Sequence, residues 1–262
     1  MKFEHKKSLG QNFLSDKNLL SALADDAGVK NGMSVLEIGP GLGSLTEQLS
    51  ARAEKVLCIE ADNRLEQPLR ERFANKNVQF IFEDFLKVTF EQIEAILGKE
   101  YVVVANLPYY ITTPILFRFF EEKNGAQKIA VMVQKEVAER MVATPGSKDY
   151  GILSVACQHM GKTKILRQVG RKNFNPVPNV DSTFVEVELL RKTDNKPFFA
   201  FLRSCFSMRR KTLQNNLKGR CDQQLLLDWL ATNNKPVAIR AEALLPKEIF
   251  DLFEFVSKTN KK

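Results

Sequence analysis

The 262-residue sequence predicts a doubly wound α/β domain followed by a small all-helical domain, and three observations carry that expectation. Short β-branched or aromatic runs alternate with longer amphipathic stretches over the first two-thirds of the chain, the pattern of strands joined by crossover helices. A polar, proline-terminated segment, RKTDNKP at 191 to 197, then interrupts the alternation. Beyond it every apolar pattern has the helical period.

The elements follow in order. SVLEI (34 to 38), KVLCIE (55 to 60), VQFIFE (78 to 83), YVVVA (101 to 105) and KIAVMV (128 to 133) are apolar enough for buried parallel strands. Helical patterns lie between them, in SLTEQLSAR and NRLEQPLRERF, and PILFRFFEEK follows the fourth strand. YGILSVACQHM predicts another helix, and TKILRQV and TFVEVELL two more strands. These last two are consecutive and joined by FNPVPNVDS (174 to 182), so an antiparallel pair at the sheet edge is expected. FFAFLRSCF, LLLDWLA and PKEIFDLFEFV are helical, with Pro246 suited to a first turn. The domain boundary is therefore set between 1–190 and 191–262.

Composition narrows the function classes. At 44% hydrophobic and 27% charged residues the chain is ordinary for a globular protein able to bury a core. No apolar run is long enough to span a bilayer, and MKFEHKKSLGQNF lacks the apolar centre of a secretion signal, so a cytoplasmic protein without membrane attachment is expected. The four cysteines have no CxxC spacing and the two histidines stand apart, which predicts neither a disulfide frame nor a metal site. Net charge is +8, and all of the excess is C-terminal: residues 1–190 hold 24 basic and 24 acidic side chains, residues 191–262 hold 15 and 7. Within 201–220 lie Arg203, Arg209, Arg210, Lys211, Lys218 and Arg220 with no acid among them. Without i,i+4 partners these cations are candidate phosphate contacts, and a polyanion is the expected partner.

In a doubly wound sheet, ligands sit beyond the carboxyl ends of the strands. The first strand runs into Glu37-Ile38-Gly39-Pro40-Gly41-Leu42-Gly43, where glycines let the backbone turn tightly and approach a ligand. Ser44 stands where a dinucleotide fingerprint needs its last small residue at the next turn, and the third glycine comes one place early; G-x-G-x-G with a carboxylate two residues before it is the nucleoside loop of S-adenosylmethionine enzymes. Glu60 ends the second strand, 21 residues after Gly39, where a carboxylate accepts ribose hydroxyls. Asp84 follows the third strand and suits an adenine amino group.

The fourth strand delivers Asn106-Leu107-Pro108-Tyr109. An exocyclic adenine amine is a poor nucleophile because its lone pair is delocalised into the ring. Acceptors on its two N–H bonds, the Asn106 side-chain oxygen and the Leu107 carbonyl, draw it toward sp³ geometry. Pro108 restricts the residue before it, and Tyr109 offers a face for the purine. Phe174, at the start of the proline-rich loop, is a candidate second stacking partner.

These residues resemble the bacterial KsgA (RsmA) family of rRNA adenine-N6,N6-dimethyltransferases. The resemblance runs nearly end to end, through KSLGQNFL (7 to 14), LEIGPGLGSLT (36 to 46), IEAD (59 to 62), EDFL (83 to 86), ANLPYYITTPIL (105 to 116), MVQKEVAERM (132 to 141), FNPVPNVDS (174 to 182) and FSMRRKTLQNNL (206 to 217). It implies a Rossmann-like S-adenosylmethionine-dependent methyltransferase sheet, with Asn12, Leu14, Gly39, Glu60, Asp84 and Asn106 contacting the cofactor. Gln11 joins the candidates beside Asn12, as do Glu37, Gly41 and Gly43. It further implies that the helical domain engages ribosomal RNA, and that two adjacent adenosines near the 3′ end of 16S rRNA, within the small subunit or its precursor, become dimethyladenosine. A monomer is expected. Two other readings stay open here: an assembly factor in which binding outweighs methylation, and a large-subunit dimethyltransferase of the macrolide-resistance type.

Overall fold

The computed structural model describes residues 13–191 and 194–259. Gln11 and Asn12, and the lysines Lys6 and Lys7 near them, lie outside the described residues. The first described strand, β1 (Phe13–Leu14), leads into α1 (Lys17–Asp26), whose Asp16 cap accepts from the Asn18 and Leu19 N–H groups. Alternation then proceeds through β2 (Ser34–Ile38), α2 (Ser44–Ser50), β3 (Lys55–Glu60), α3 (Glu66–Arg72), β4 (Val78–Phe82), α4 (Phe90–Leu97), β5 (Tyr101–Asn106), α5 (Thr112–Glu121) and β6 (Ala126–Gln134). Two helices, α6 (Lys135–Val142) and α7 (Ile152–Met160), precede β7 (Gly161–Val169), the two-residue β8 (Phe174–Asn175) and β9 (Ser182–Leu189). The chain closes with α8 (Lys196–Cys205), α9 (Leu213–Asn216), α10 (Gln223–Thr232) and α11 (Pro246–Thr259).

Seven strands form one sheet in the order β4-β3-β2-β5-β6-β9-β7. The first five are parallel and β9 runs antiparallel to both β6 and β7, so the expected hairpin is present, with β7 at the edge. Its five parallel strands are the five apolar runs picked out above, each within two residues at either end. β1 and β8 make a separate antiparallel pair, Leu14 opposite Phe174.

Sheet order reverses at β2: β3 lies on one side and β5 on the other, joined through Val35↔Val102 and Leu36↔Val103. That reversal opens a crevice at the carboxyl ends of β2 and β5. The loops leaving these two strands are the glycine loop and the Asn-Leu-Pro-Tyr turn.

One apolar cluster fills the face beneath α4, α5 and α7 and continues without a break into α8, α10 and α11. The seam between sheet and C-terminal helices is aromatic. His159 of α7 lies 4.1 Å from the Phe198 ring of α8 and 4.7 Å from the Phe250 ring of α11, centroid to centroid. Burial, with the Arg191 charge adding to it, lowers the His159 pKa to about 4. A histidine kept neutral in the fold but free to protonate when unfolded costs stability as pH falls from about 6.5 through about 4. His159→Leu is expected to lose that dependence: in urea titrations the midpoint difference between wild type and variant should shift in the variant's favour across this window and stay flat above pH 7.

Candidate active site

An open cleft enclosing about 1000 Å³ lies over the switch point. Leu14, Glu37, Gly39, Gly41, Glu60, Asp84, Asn106, Leu107, Pro108 and Tyr109 all line it. The fold therefore brings Leu14 and Tyr109, 95 positions apart in the chain, to one cavity.

The glycine loop is built by two carboxylates. Glu60, at the end of β3, accepts the Gly41 N–H at 3.0 Å on one oxygen and the Asp62 N–H at 2.9 Å on the other. Burial raises its pKa, and those backbone bonds oppose the rise. Glu37 is 1% exposed and takes the Thr46 hydroxyl at 2.6 Å and the Cys58 thiol at 3.4 Å on the same oxygen, Oε2. Desolvation outweighs these donors and lifts Glu37 to about 7, with the Glu60 charge adding to the rise.

Two glycines in the loop answer to neighbours. At Gly41 (φ 56°) an added Cβ would lie 2.5 Å from the Phe13 ring, which packs over the loop from β1. Gly43 does not line the cleft, a correction to its expected cofactor role. It caps α2 in left-handed geometry (φ 79°), and an added Cβ would lie 2.7 Å from the Phe73 ring, so close helix packing requires glycine there. Arg72 fastens the same loop by donating to the Leu42 carbonyl and pairing with Glu47 at 2.6 Å.

Across the crevice, a Cβ added at Gly39 would stand 3.9 Å from Pro108 Cδ, so the loops after β2 and β5 nearly touch. The Pro108 carbonyl accepts the Ile111 N–H and the Thr112 hydroxyl, each at 3.2 Å, which closes a turn over Tyr109 and Tyr110. The Leu107 side chain is buried in the main core, while its carbonyl accepts no hydrogen bond among the described residues. Half-buried Tyr109 is fixed through its hydroxyl, 2.7 Å from Ser182 Oγ at the start of β9. Asp84 accepts the Leu86 N–H at 2.9 Å on Oδ1.

One further expectation needs correcting, and two cations meet partners that local sequence does not supply. Phe174 is 2% exposed and does not line the cleft: pairing β8 with β1 turns the ring into the core shared with Leu14, Val169 and Phe184. Arg203 pairs with Glu121 and covers the Phe117 ring at 5.2 Å. Arg209 bonds to the Lys148 carbonyl and to Glu242 at 3.3 Å. These two arginines tie the C-terminal helices to the body, Arg203 through Glu121 and Arg209 through the Lys148 carbonyl, while Glu242 pairs with Arg209 from within the C-terminal helices. Arg210, Lys211, Lys218 and Arg220 are exposed and form no ion pair among the described residues.

Phe13, Thr46, Phe85, Tyr110 and Ser182 also serve the site and were not predicted from the sequence. The doubled tyrosine was the one available signal, since the others acquire a role only through tertiary neighbours.

The cavity fits an adenosyl cofactor by its own chemistry. A loop stripped of Cβ atoms borders it, and carboxylates that accept hydroxyl and amino protons stand at the ends of β3 and β4.

A family model described as ribosomal RNA adenine dimethylase matches residues 2–258. A ribosomal RNA small subunit methyltransferase A of Alkaliphilus oremlandii (strain OhILAs) is 42% identical over 257 residues, covering 94% of this chain and 90% of its own. The protein of the same name from Bacillus mycoides (strain KBAB4) is 47% identical over 228 residues, 83% of this chain and 77% of that one. Among solved structures, a dimethyladenosine transferase from Plasmodium falciparum superposes with a TM-score of 0.75 at 27% identity, covering 95% of this chain and 98% of its own. The 23S rRNA methyltransferase ErmE gives 0.67 at 25% identity, covering 94% and 100%.

Two substitutions probe the loop. Gly43→Ala is expected to lose about 1–2 kcal/mol to left-handed strain alone, with Phe73 crowding added, in chemical denaturation. Glu37→Gln keeps an acceptor for Thr46 but removes the titration. A carboxyl raised from 4.5 to about 7 loses its stabilising contribution as pH climbs through that range, so cofactor-free wild type should weaken relative to the variant between those values.

Proposed function

The chain belongs to the ribosomal RNA adenine dimethylases, and we infer from this that it transfers methyl groups from S-adenosylmethionine to N6 of two adjacent adenosines near the 3′ end of 16S rRNA. The observation that carries the reading is the near-contact of the glycine loop and the Asn106–Tyr109 turn at Gly39 and Pro108. It puts the glycine loop and the Asn106–Tyr109 turn in one cleft, which supports a cofactor held beside a target amine.

In this reading Glu60 and Asp84 hold the ribose and adenine of the cofactor, Gly39 and Gly41 allow its close approach, and Leu14 and Glu37 complete the wall. Gln11 and Asn12 join them from the N-terminal segment. When bound, the cofactor supplies an electrophilic sulfonium methyl. The protein does the rest by positioning. Asn106 and the Leu107 carbonyl accept the two N–H bonds of the target amine and localise its lone pair, and Tyr109, held by Ser182, presents a ring face to the purine. The methylated ammonium is acidic enough to lose its proton to water or to a nearby carbonyl, so a strong base is not required. The target base must leave any stack to enter, which suits an rRNA loop presented on a ribosomal particle. Residues 1–190 act as the catalytic domain and 191–262 as the rRNA-binding domain, with Arg210, Lys211, Lys218 and Arg220 on phosphates. The protein works as a cytoplasmic monomer with a role in small-subunit biogenesis.

The decisive assay incubates the protein with labelled S-adenosylmethionine and under-methylated small subunits, naked rRNA or DNA, then identifies the labelled nucleoside. Dimethyladenosine from small subunits is expected; label elsewhere overturns the reading. Asn106→Ala should reduce turnover about 10²–10³-fold while particle binding survives, which separates methylation from a pure assembly role. Replacing the four unpaired cations with Ala should flatten the log–log salt dependence of rRNA binding by about 0.7–0.9 for each phosphate no longer neutralised.

A further inference from the structure

Tyr110 is the largest apolar surface in the cleft that the fold leaves unused. It lines the cavity yet is 60% exposed, belongs to no apolar cluster, and its hydroxyl makes no hydrogen bond among the described residues. Its chain neighbour is opposite in every respect: Tyr109 is half-buried and pinned to Ser182. The difference comes from the turn closed between Pro108 and Ile111, whose two central residues are these tyrosines. One ring is committed to the fold and the other stands at the mouth.

The loop that ends at the hydroxyl partner of Tyr109 is also apolar and exposed. Val177, at 58% exposure, and Val180 project from the loop between β8 and β9. That loop is held in place: Arg171 donates its backbone N–H to Asp181 at 2.8 Å and its guanidinium to the Asn179 carbonyl at 3.3 Å, and Ser182 at its end is the residue that grips Tyr109. An exposed aromatic ring on a fixed turn at the mouth of a cleft suits the face of an unstacked base, since each base has a π-face and stacks on an aromatic ring without sequence readout.

We propose that Tyr110 is the platform on which the base adjoining the target stacks while the target occupies the cleft. The proposal rests on the adenine-dimethylase reading and adds to it where the flanking nucleotide goes. Extruding one base from a strand strips its neighbour of a stacking partner, and Tyr110, one residue along the chain from the ring that faces the target, replaces that partner. Tyr110 then sets affinity for the RNA, and Asn106, Leu107 and Tyr109 set the chemical step.

The test compares wild type, Tyr110→Ala, Tyr110→Phe and Tyr110→Trp on under-methylated small subunits, reading KM for the subunits, kcat, and S-adenosylmethionine binding by calorimetry. Tyr110→Ala is expected to raise KM about tenfold, with kcat and cofactor affinity within about twofold of wild type, and Phe and Trp should restore KM because stacking needs no hydroxyl. An unchanged KM in Tyr110→Ala overturns the proposal. So does a Phe variant as defective as Ala, which would assign the role to the hydroxyl. Absence of dimethyladenosine in wild type would instead overturn the reading beneath it, so the two failures are distinguishable.

Discussion

The parallel pairing of β2 with β5 is the constraint on which the site depends. Strands that neighbour in sequence do not neighbour here, so the chain must cross from one half of the sheet to the other. Crossing leaves the carboxyl ends of β2 and β5 side by side, with their helices departing to opposite faces. No side chain has to create the crevice; the topology opens it and the loops furnish it. The distance between Gly39 and Pro108 is in this sense a property of the sheet, protected by the buried rows of Val35, Leu36, Val102 and Val103.

Furnishing the crevice requires burying negative charge, which the fold would otherwise avoid. Glu60 is made tolerable by using its oxygens to hold the glycine loop, so the same carboxylate shapes the cavity it borders. Glu37 is satisfied on one oxygen by Thr46 and Cys58, and its burial leaves it balanced between ionised and neutral near neutral pH. Architecture and electrostatics are thus carried by the same few atoms. A substitution at Glu60 would disturb both, whereas Arg72 and Phe73 act on the loop only through packing and fastening from behind.

Much of this was legible in the sequence because its signals are local. Apolar runs of strand length identified all five parallel strands, and Gly-rich or Pro-containing segments at their ends identified the loops. The position of Asn106 through Tyr109 at the cleft was readable because the quartet ends an apolar run of strand length. What could not be read was set by tertiary partners. Gly43 has the look of a ligand-binding glycine, yet its lack of a side chain serves Phe73. Phe174 has the type for stacking, but a two-residue strand pair turns it inward. Arg203 and Arg209 had no acid within a helical turn, and only the fold brings Glu121 and Glu242 to them. Helices α1, α4 and α6 were passed over between stronger patterns, α4 despite the Thr89–Gln92 capping box that opens it.

Those two arginines make the C-terminal helices something other than a tethered appendage. With a shared core, an aromatic seam through His159, Phe198 and Phe250, the Arg203–Glu121 ion pair and the Arg209 bond to the Lys148 carbonyl, the helical unit is soldered to the sheet. The span from the unpaired cations to the cleft is therefore fixed by the fold. If the cations hold phosphates as proposed, such a molecule works as a caliper: a polyanion resting on one jaw offers the other only the segment lying one set distance away, so an identical base at any other spacing goes unmeasured.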